Sequence, residues 1–135
     1  MVTPIPILVE SDLHLAHHAL NTLSTKLYAT NLRAGWYTNP KTNRKIDRNV
    51  MEMLMLIVTE VAEAAEGYRK SLPDDKLPHR PMLEVELADV LIRIFDLAGY
   101  QQLDLGGAFV EKIRFNATRA DHTLAARALP GGKSC

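Results

Sequence analysis

Apolar residues recur at three- and four-residue steps through most of this chain and nowhere alternate one by one, as a half-buried strand would require. Leu13, Ala16, Leu20, Leu23 and Leu27 form the first such run, with Ser11 placed to cap it and Gly35 to stop it. Tyr37 to Arg44, carrying Pro40 and two asparagines, reads as a polar connecting loop. A second helix is predicted from about Asp47 to Lys70, its apolar stripe marked by Val50, Leu54, Ile57, Val58, Val61 and Ala65. Pro73, Pro78 and Pro81 hold a short loop open, and Pro81 suits the first position of a third helix that continues to about Tyr100. Gly106 and Gly107 mark a further boundary before a fourth helix over about Ala108 to Asp121. Residues 121–135 read as an irregular tail. The expected fold class is all-α: one domain over 1–135, a four-helix bundle, with residues 1–30 the least informative part.

The third helix carries the most telling pattern. At about 100° per residue, Glu86, Asp89, Arg93 and Asp96 share one narrow stripe, and most of the remaining surface is Leu83, Leu87, Val90, Leu91, Ile94, Phe95, Leu97 and Ala98. So apolar a helix belongs inside a bundle, where charges must be paired or metal-bound. On the second helix Glu60 and Glu63 flank the apolar stripe. The short loop between the two helices favours an antiparallel hairpin, which brings the pairs Glu60-x-x-Glu63 and Glu86-x-x-Asp89 to one level. Hard carboxylate oxygens crowded in this way suit Mg²⁺ or Mn²⁺. Lys112, Asn116 and Arg119 share a face of the fourth helix and offer cations and an amide to phosphate oxygens.

Composition narrows the field of partners. The 135 residues carry 16 Lys and Arg against 16 Asp and Glu, a formal net charge of zero, which gives no electrostatic reason to expect nucleic acid or anionic membrane as a partner. No apolar run approaches the roughly 20 residues that span a bilayer. The one cysteine, Cys135, excludes an intrachain disulfide and fits a reducing compartment, so a cytoplasmic protein is expected.

The blander reading of each feature differs from the chemical one. A lone E-x-x-E commonly just solvates a helix face, and Glu66 reads as such a surface residue. Arg93 serves equally as an intrahelical partner of Asp89 or Asp96 and as a phosphate contact. Trp36 suits a packing role at least as well as base stacking. His14, His17 and His18 lie near metal-ligand spacing but lack a third ligand type beside them.

The residues Glu60-x-x-Glu63, a 22-residue spacer and Glu86-x-x-Asp89 resemble the E-x-x-E…E-x-x-D signature of MazG-like all-α nucleoside triphosphate pyrophosphohydrolases. The run K-I-R-F-N-A-T-R over residues 112–119, with Asp121-His122 and Gly131-Gly132-Lys133, is similar to the phosphate-binding end of the compact bacterial and phage branch. Gly35-Trp36 and the segment from Asp74 to Pro81 also resemble that branch. The resemblance covers roughly residues 30–133. It implies hydrolysis of a (d)NTP to (d)NMP and pyrophosphate, with two or more Mg²⁺ or Mn²⁺ ions held by Glu60, Glu63, Glu86 and Asp89. It further implies a general base at Glu60 or Glu63, phosphate contacts from Lys112, Asn116 and Arg119, and homodimers or homotetramers. Arg93 and Trp36 join the expected substrate-binding set. Within that class (d)GTP is the best single substrate, and house-cleaning activity on dUTP, dCTP or modified nucleotides is the alternative. The rivals are a di-iron carboxylate protein, which would need Glu-x-x-His pairs that are absent here, and a non-catalytic cation-binding bundle.

Overall fold

The computed structural model describes residues 7–133, and over these it is helical throughout, with no β-strand among the described residues. Cys135 and the opening Pro4-Ile5-Pro6 lie outside them. The helices are α1 (Glu10–Arg33), α2 (Val50–Lys70), α3 (Met82–Tyr100), α4 (Leu105–Thr118) and the short α5 (Leu124–Arg127), with a 3-10 turn over Ala120–His122 before α5. None is long and apolar enough to cross a membrane. The chain divides into two compact units, one of residues 22–103 and one of residues 1–21 with 104–135.

The 22–103 unit is built on the α2–α3 hairpin. Asn49 caps α2 by accepting from the Met51 and Glu52 amides, and Ser71, in the left-handed region at φ 52°, ends it. The connecting loop is organised from within. Buried Asp74 accepts from the Lys76 amide at 3.0 Å and the Leu77 amide at 2.6 Å, while Pro73 and Pro81 form an isolated antiparallel bridge. Pro81 is the residue before α3, one position earlier than expected, because its extended φ/ψ (−60°, 138°) sets up the helix without joining it.

Around Tyr37, which is fully buried, pack Met53 and Leu97, with Tyr28, Val50, Ile57 and Tyr100 partly buried against them. The Tyr28 and Tyr37 rings meet edge-on at 5.1 Å, and the Tyr37 and Tyr100 rings lie 5.2 Å apart, spacings at which aromatic pairs add to area burial. At Gly99 a Cβ would run into the Ser24 carbonyl oxygen and the Tyr28 side chain, so only glycine lets α1 and α3 approach this closely. The loop after α1 therefore contributes the centre of the core, where the sequence pattern marks only a polar connector.

Two further expectations are corrected. The stripe assigned to the core of α2 is split: Val50 and Ile57 are half-buried, but Leu54, Val58, Val61 and Ala65 are exposed. The buried positions are Met53, Glu60, Ala64 and Gly67, which centre on a different, neighbouring side of the helix. On α3, Leu87, Leu91 and Ile92 are likewise exposed, so the helix is enclosed towards its C-terminal end, at Phe95, Leu97 and Ala98, rather than along its whole length. Apolar spacing locates a face; it does not say whether the chain itself covers that face.

In the other unit α1 begins at Glu10, not after Ser11, with the Asp12 carboxylate accepting from the Val9 amide at 2.9 Å. Asp104 caps α4 by accepting from the Gly107 amide, so Gly106 and Gly107 lie inside the helix and it starts three residues before Ala108. Gly106 is needed there because a Cβ would strike the His17 carbonyl oxygen of α1. Helix α4 ends at Thr118, and the tail expected to be irregular contains the 3-10 turn and α5.

Candidate metal centre and adjoining cavity

Glu60 lies on the buried face of α2, one turn from Ala64, and is only 7% exposed. Glu63 sits at the edge of that face and is exposed. From α3, Glu86 enters the same space and is 6% exposed. One carboxylate oxygen from each of Glu60, Glu63 and Glu86 lies within 4.8 Å of the others. The hairpin thus joins the two acidic pairs. Asp89, one turn along α3, is outside that closest trio but adds its negative charge to the field at Glu86.

The cost of this crowding is visible at Glu86. Burial, then a carboxyl–carboxylate hydrogen bond with Glu60 and the charges of Glu63, Glu60 and Asp89, push its pKa up to about 7. Positive charge is scarce beside these acids. Arg93 of α3 donates through Nε and Nη2 to one oxygen, Oε1 of Glu60, at 2.5 Å each. It pairs across the hairpin, not with Asp89 or Asp96 of its own helix as the spacing alone allowed. An all-oxygen, charge-deficient donor set fits a hard divalent cation such as Mg²⁺ or Mn²⁺. Glu66 takes the surface role expected of it, paired with Arg69 and Lys70 of the same helix.

A cavity of about 280 Å³ adjoins the acids and is lined by Asn31, Trp36, Arg48, Asp89, Ile92, Arg93 and Asp96. Trp36 is 68% exposed, so the packing role open to it from sequence is not the one it takes. Asp96 accepts from the Tyr37 hydroxyl at 2.9 Å through Oδ2. That bond, with burial as the larger cause, raises the Tyr37 pKa. The other carboxylate oxygen, Asp96 Oδ1, is buried and has no hydrogen-bond partner among the described residues. Asn31 and Arg48 have no place in the sequence pattern. Asp96 was visible as a fourth member of the polar stripe on α3, but Asn31 and Arg48 carry no spacing signal because α1 and a loop deliver them.

On α4, Lys112 lies 5.0 Å from the centre of the exposed Phe115 ring, and the guanidinium of Arg119, the residue after the helix, lies 5.7 Å from it. Arg119 is also committed to Asp121, donating through Nε at 2.9 Å and Nη2 at 2.5 Å, and Lys133 approaches the same carboxylate at 3.6 Å. Asn116 Oδ1 is buried without a hydrogen-bond partner among the described residues. Lys112 and Arg119 flank one ring, but Arg119 lies beyond the end of α4 and already has an anion. His17 pairs with Asp104 at 3.4 Å, which gives one of the three histidines of α1 a local structural partner. No family model matches this chain, and no curated protein or solved structure is significantly similar to it.

Proposed function

We propose that the protein is a metal-dependent nucleoside triphosphate pyrophosphohydrolase, cleaving a (d)NTP to (d)NMP and pyrophosphate. The observation that carries this reading is the convergence of Glu60, Glu63 and Glu86 with too little positive charge to balance them. Glu60, Glu63 and Glu86, with Asp89 beside them, would hold Mg²⁺ or Mn²⁺. Bound there, such ions withdraw charge from phosphate oxygens and acidify a water. Hydrolysis of the anhydride between the α and β phosphates by that water would give (d)NMP and pyrophosphate. A carboxylate accepts the proton of the water. Glu63 suits that task better than Glu60, because Glu60 is buried and engaged by Arg93.

The cavity beside the acids supplies a place for the nucleoside. Trp36 offers an exposed ring on which any base can stack, and the Asn31 amide offers both a donor and acceptors to a base edge. We keep (d)GTP as the single best substrate, with dUTP, dCTP or modified nucleotides as the alternative. Lys112, Asn116 and Arg119 enter as phosphate ligands on their residue pattern alone.

The protein is further proposed to work as a homo-oligomer in the cytoplasm. Met51, Leu54, Met55, Val58, Val61, Ala62 and Ala65 occupy an exposed arc of α2 about 120° wide, free of charge until Arg69 in the last turn. Exposed Leu87 and Leu91 extend apolar surface onto α3. Contiguous apolar surface of this kind marks an interaction site, and a second copy of the chain supplies a matching surface.

The decisive assay supplies Mg²⁺ or Mn²⁺ and each of the eight common NTPs and dNTPs, and measures pyrophosphate and nucleoside monophosphate. Equal release of the two, dependent on metal, is expected. Release of inorganic phosphate, or no turnover of any nucleotide, would exclude the proposal.

A further inference from the structure

Arg93 occupies a position that a cation-binding site cannot leave unchanged. Its guanidinium donates twice to one oxygen of Glu60, a carboxylate that also supplies one of the three clustered oxygens. A divalent ion on Glu60 would face a guanidinium on the same carboxylate, and like charges on one ligand oppose each other directly. Release from Glu60 would strand a half-exposed guanidinium unless it found another anion. That anion stands three residues along the same helix. Asp96 lines the same cavity as Arg93, shares its stripe on α3, and holds a buried oxygen, Oδ1, with no hydrogen-bond partner among the described residues. The Tyr37 hydroxyl holds the other oxygen of Asp96 at 2.9 Å and so fixes the acceptor in place. A buried acceptor left unmade costs the protein stability, and that cost is recovered when a donor arrives.

We propose that Arg93 is a two-position counter-ion. It neutralises Glu60 while the acidic cluster lacks its metal, and it moves to Asp96 when a divalent ion takes Glu60. This rests on the metal-site reading above. Its consequence is coupling: metal uptake at Glu60 is linked to the exchange of one carboxylate partner of Arg93 for another. Arg93 is here a positioning residue for Glu60, and Asp96 is the receiving group.

Binding of Mn²⁺ to the nucleotide-free protein, followed by calorimetry, tests this without any turnover. Removal of the competing cation in Arg93→Met is expected to tighten Mn²⁺ binding by at least about fivefold, the size of an ordinary coupling between two ligands. Arg93→Lys, which keeps the charge, should stay close to the wild type. Asp96→Asn, which takes away the receiving charge, should weaken binding in the wild-type background and have no effect in an Arg93→Met background. In the wild-type protein itself, the Arg93 Nε–Hε resonance should move during a Mg²⁺ titration, a readout that needs no substitution. Unchanged or weaker Mn²⁺ binding by Arg93→Met, equal effects of Asp96→Asn in both backgrounds, or a stationary Arg93 resonance during saturable metal binding would each overturn the two-position counter-ion alone. A wild-type protein that takes up no divalent ion would overturn the metal site and the counter-ion together.

Discussion

Glu86 and Asp121 are both carboxylates in helical surroundings, yet their pKa values move in opposite directions. Glu86 is driven up to about 7 by burial and by three acidic neighbours. Asp121 is held down at about 2 by the Arg119 guanidinium, with Lys133 and His122 adding to the effect. The α2–α3 hairpin is short of positive charge, whereas the end of α4 has matched its charges internally. A group of acids that has not found cations within its own chain is open to one from solution. A carboxylate that two cations already satisfy is a structural anchor.

The largest expected effect follows from removing charge at the deficient end. Glu63→Gln should lower kcat by at least about 100-fold, the scale of losing a main electrostatic contribution to the transition state, with the helical circular dichroism unchanged. Retained pyrophosphate release would erase the distinction between the two regions. Val58→Glu, at a position 52% exposed on the apolar arc of α2, should leave the monomer folded and reduce self-association by about 100-fold or more, the loss expected from a charge buried without a partner in an interface. Sedimentation velocity reads this directly.

The pH dependence of stability sharpens the same contrast. Because the folded Glu86 pKa is raised from 4.5 to about 7, its contribution is fully present below about pH 4.5 and is lost as pH rises through 7. The metal-free protein should therefore melt at a lower temperature at pH 8 than at pH 5. Glu86→Gln should flatten that slope. Divalent metal should stabilise the protein more at pH 8 than at pH 5, since it competes with the proton. Asp121 has the opposite sign: its lowered pKa gives stability above about pH 4 that is lost as pH falls towards 2. The smallest effect is expected there. Asp121→Asn frees Arg119 from an exposed pair and should lower the KM for nucleotide by only about two- to threefold. A rise in KM would instead make Asp121 the group that aims Arg119.

The acidic pairs were legible because helix spacing and a short proline-bounded loop are local properties, and together they bring Glu60, Glu63 and Glu86 to one level. The side on which α2 is covered was not legible. Leu54 and Val58 have the same spacing and chemistry as a core stripe, and Met53 and Ala64, which are buried, stand out in no pattern. Tyr37 was hidden more completely, since a loop residue has no period to read.

Sequence by itself determined an all-helical chain, the hairpin that faces one acidic pair with the other, and the absence of any bulk charge to draw in nucleic acid. Only tertiary structure decided that Arg93 crosses to Glu60, that Tyr37 anchors Asp96, and that a wide apolar face of α2 is left uncovered. The reason is physical. Backbone periodicity and capping act within a few residues, whereas the partner of a long side chain and the burial of a face depend on which distant segments arrive beside them.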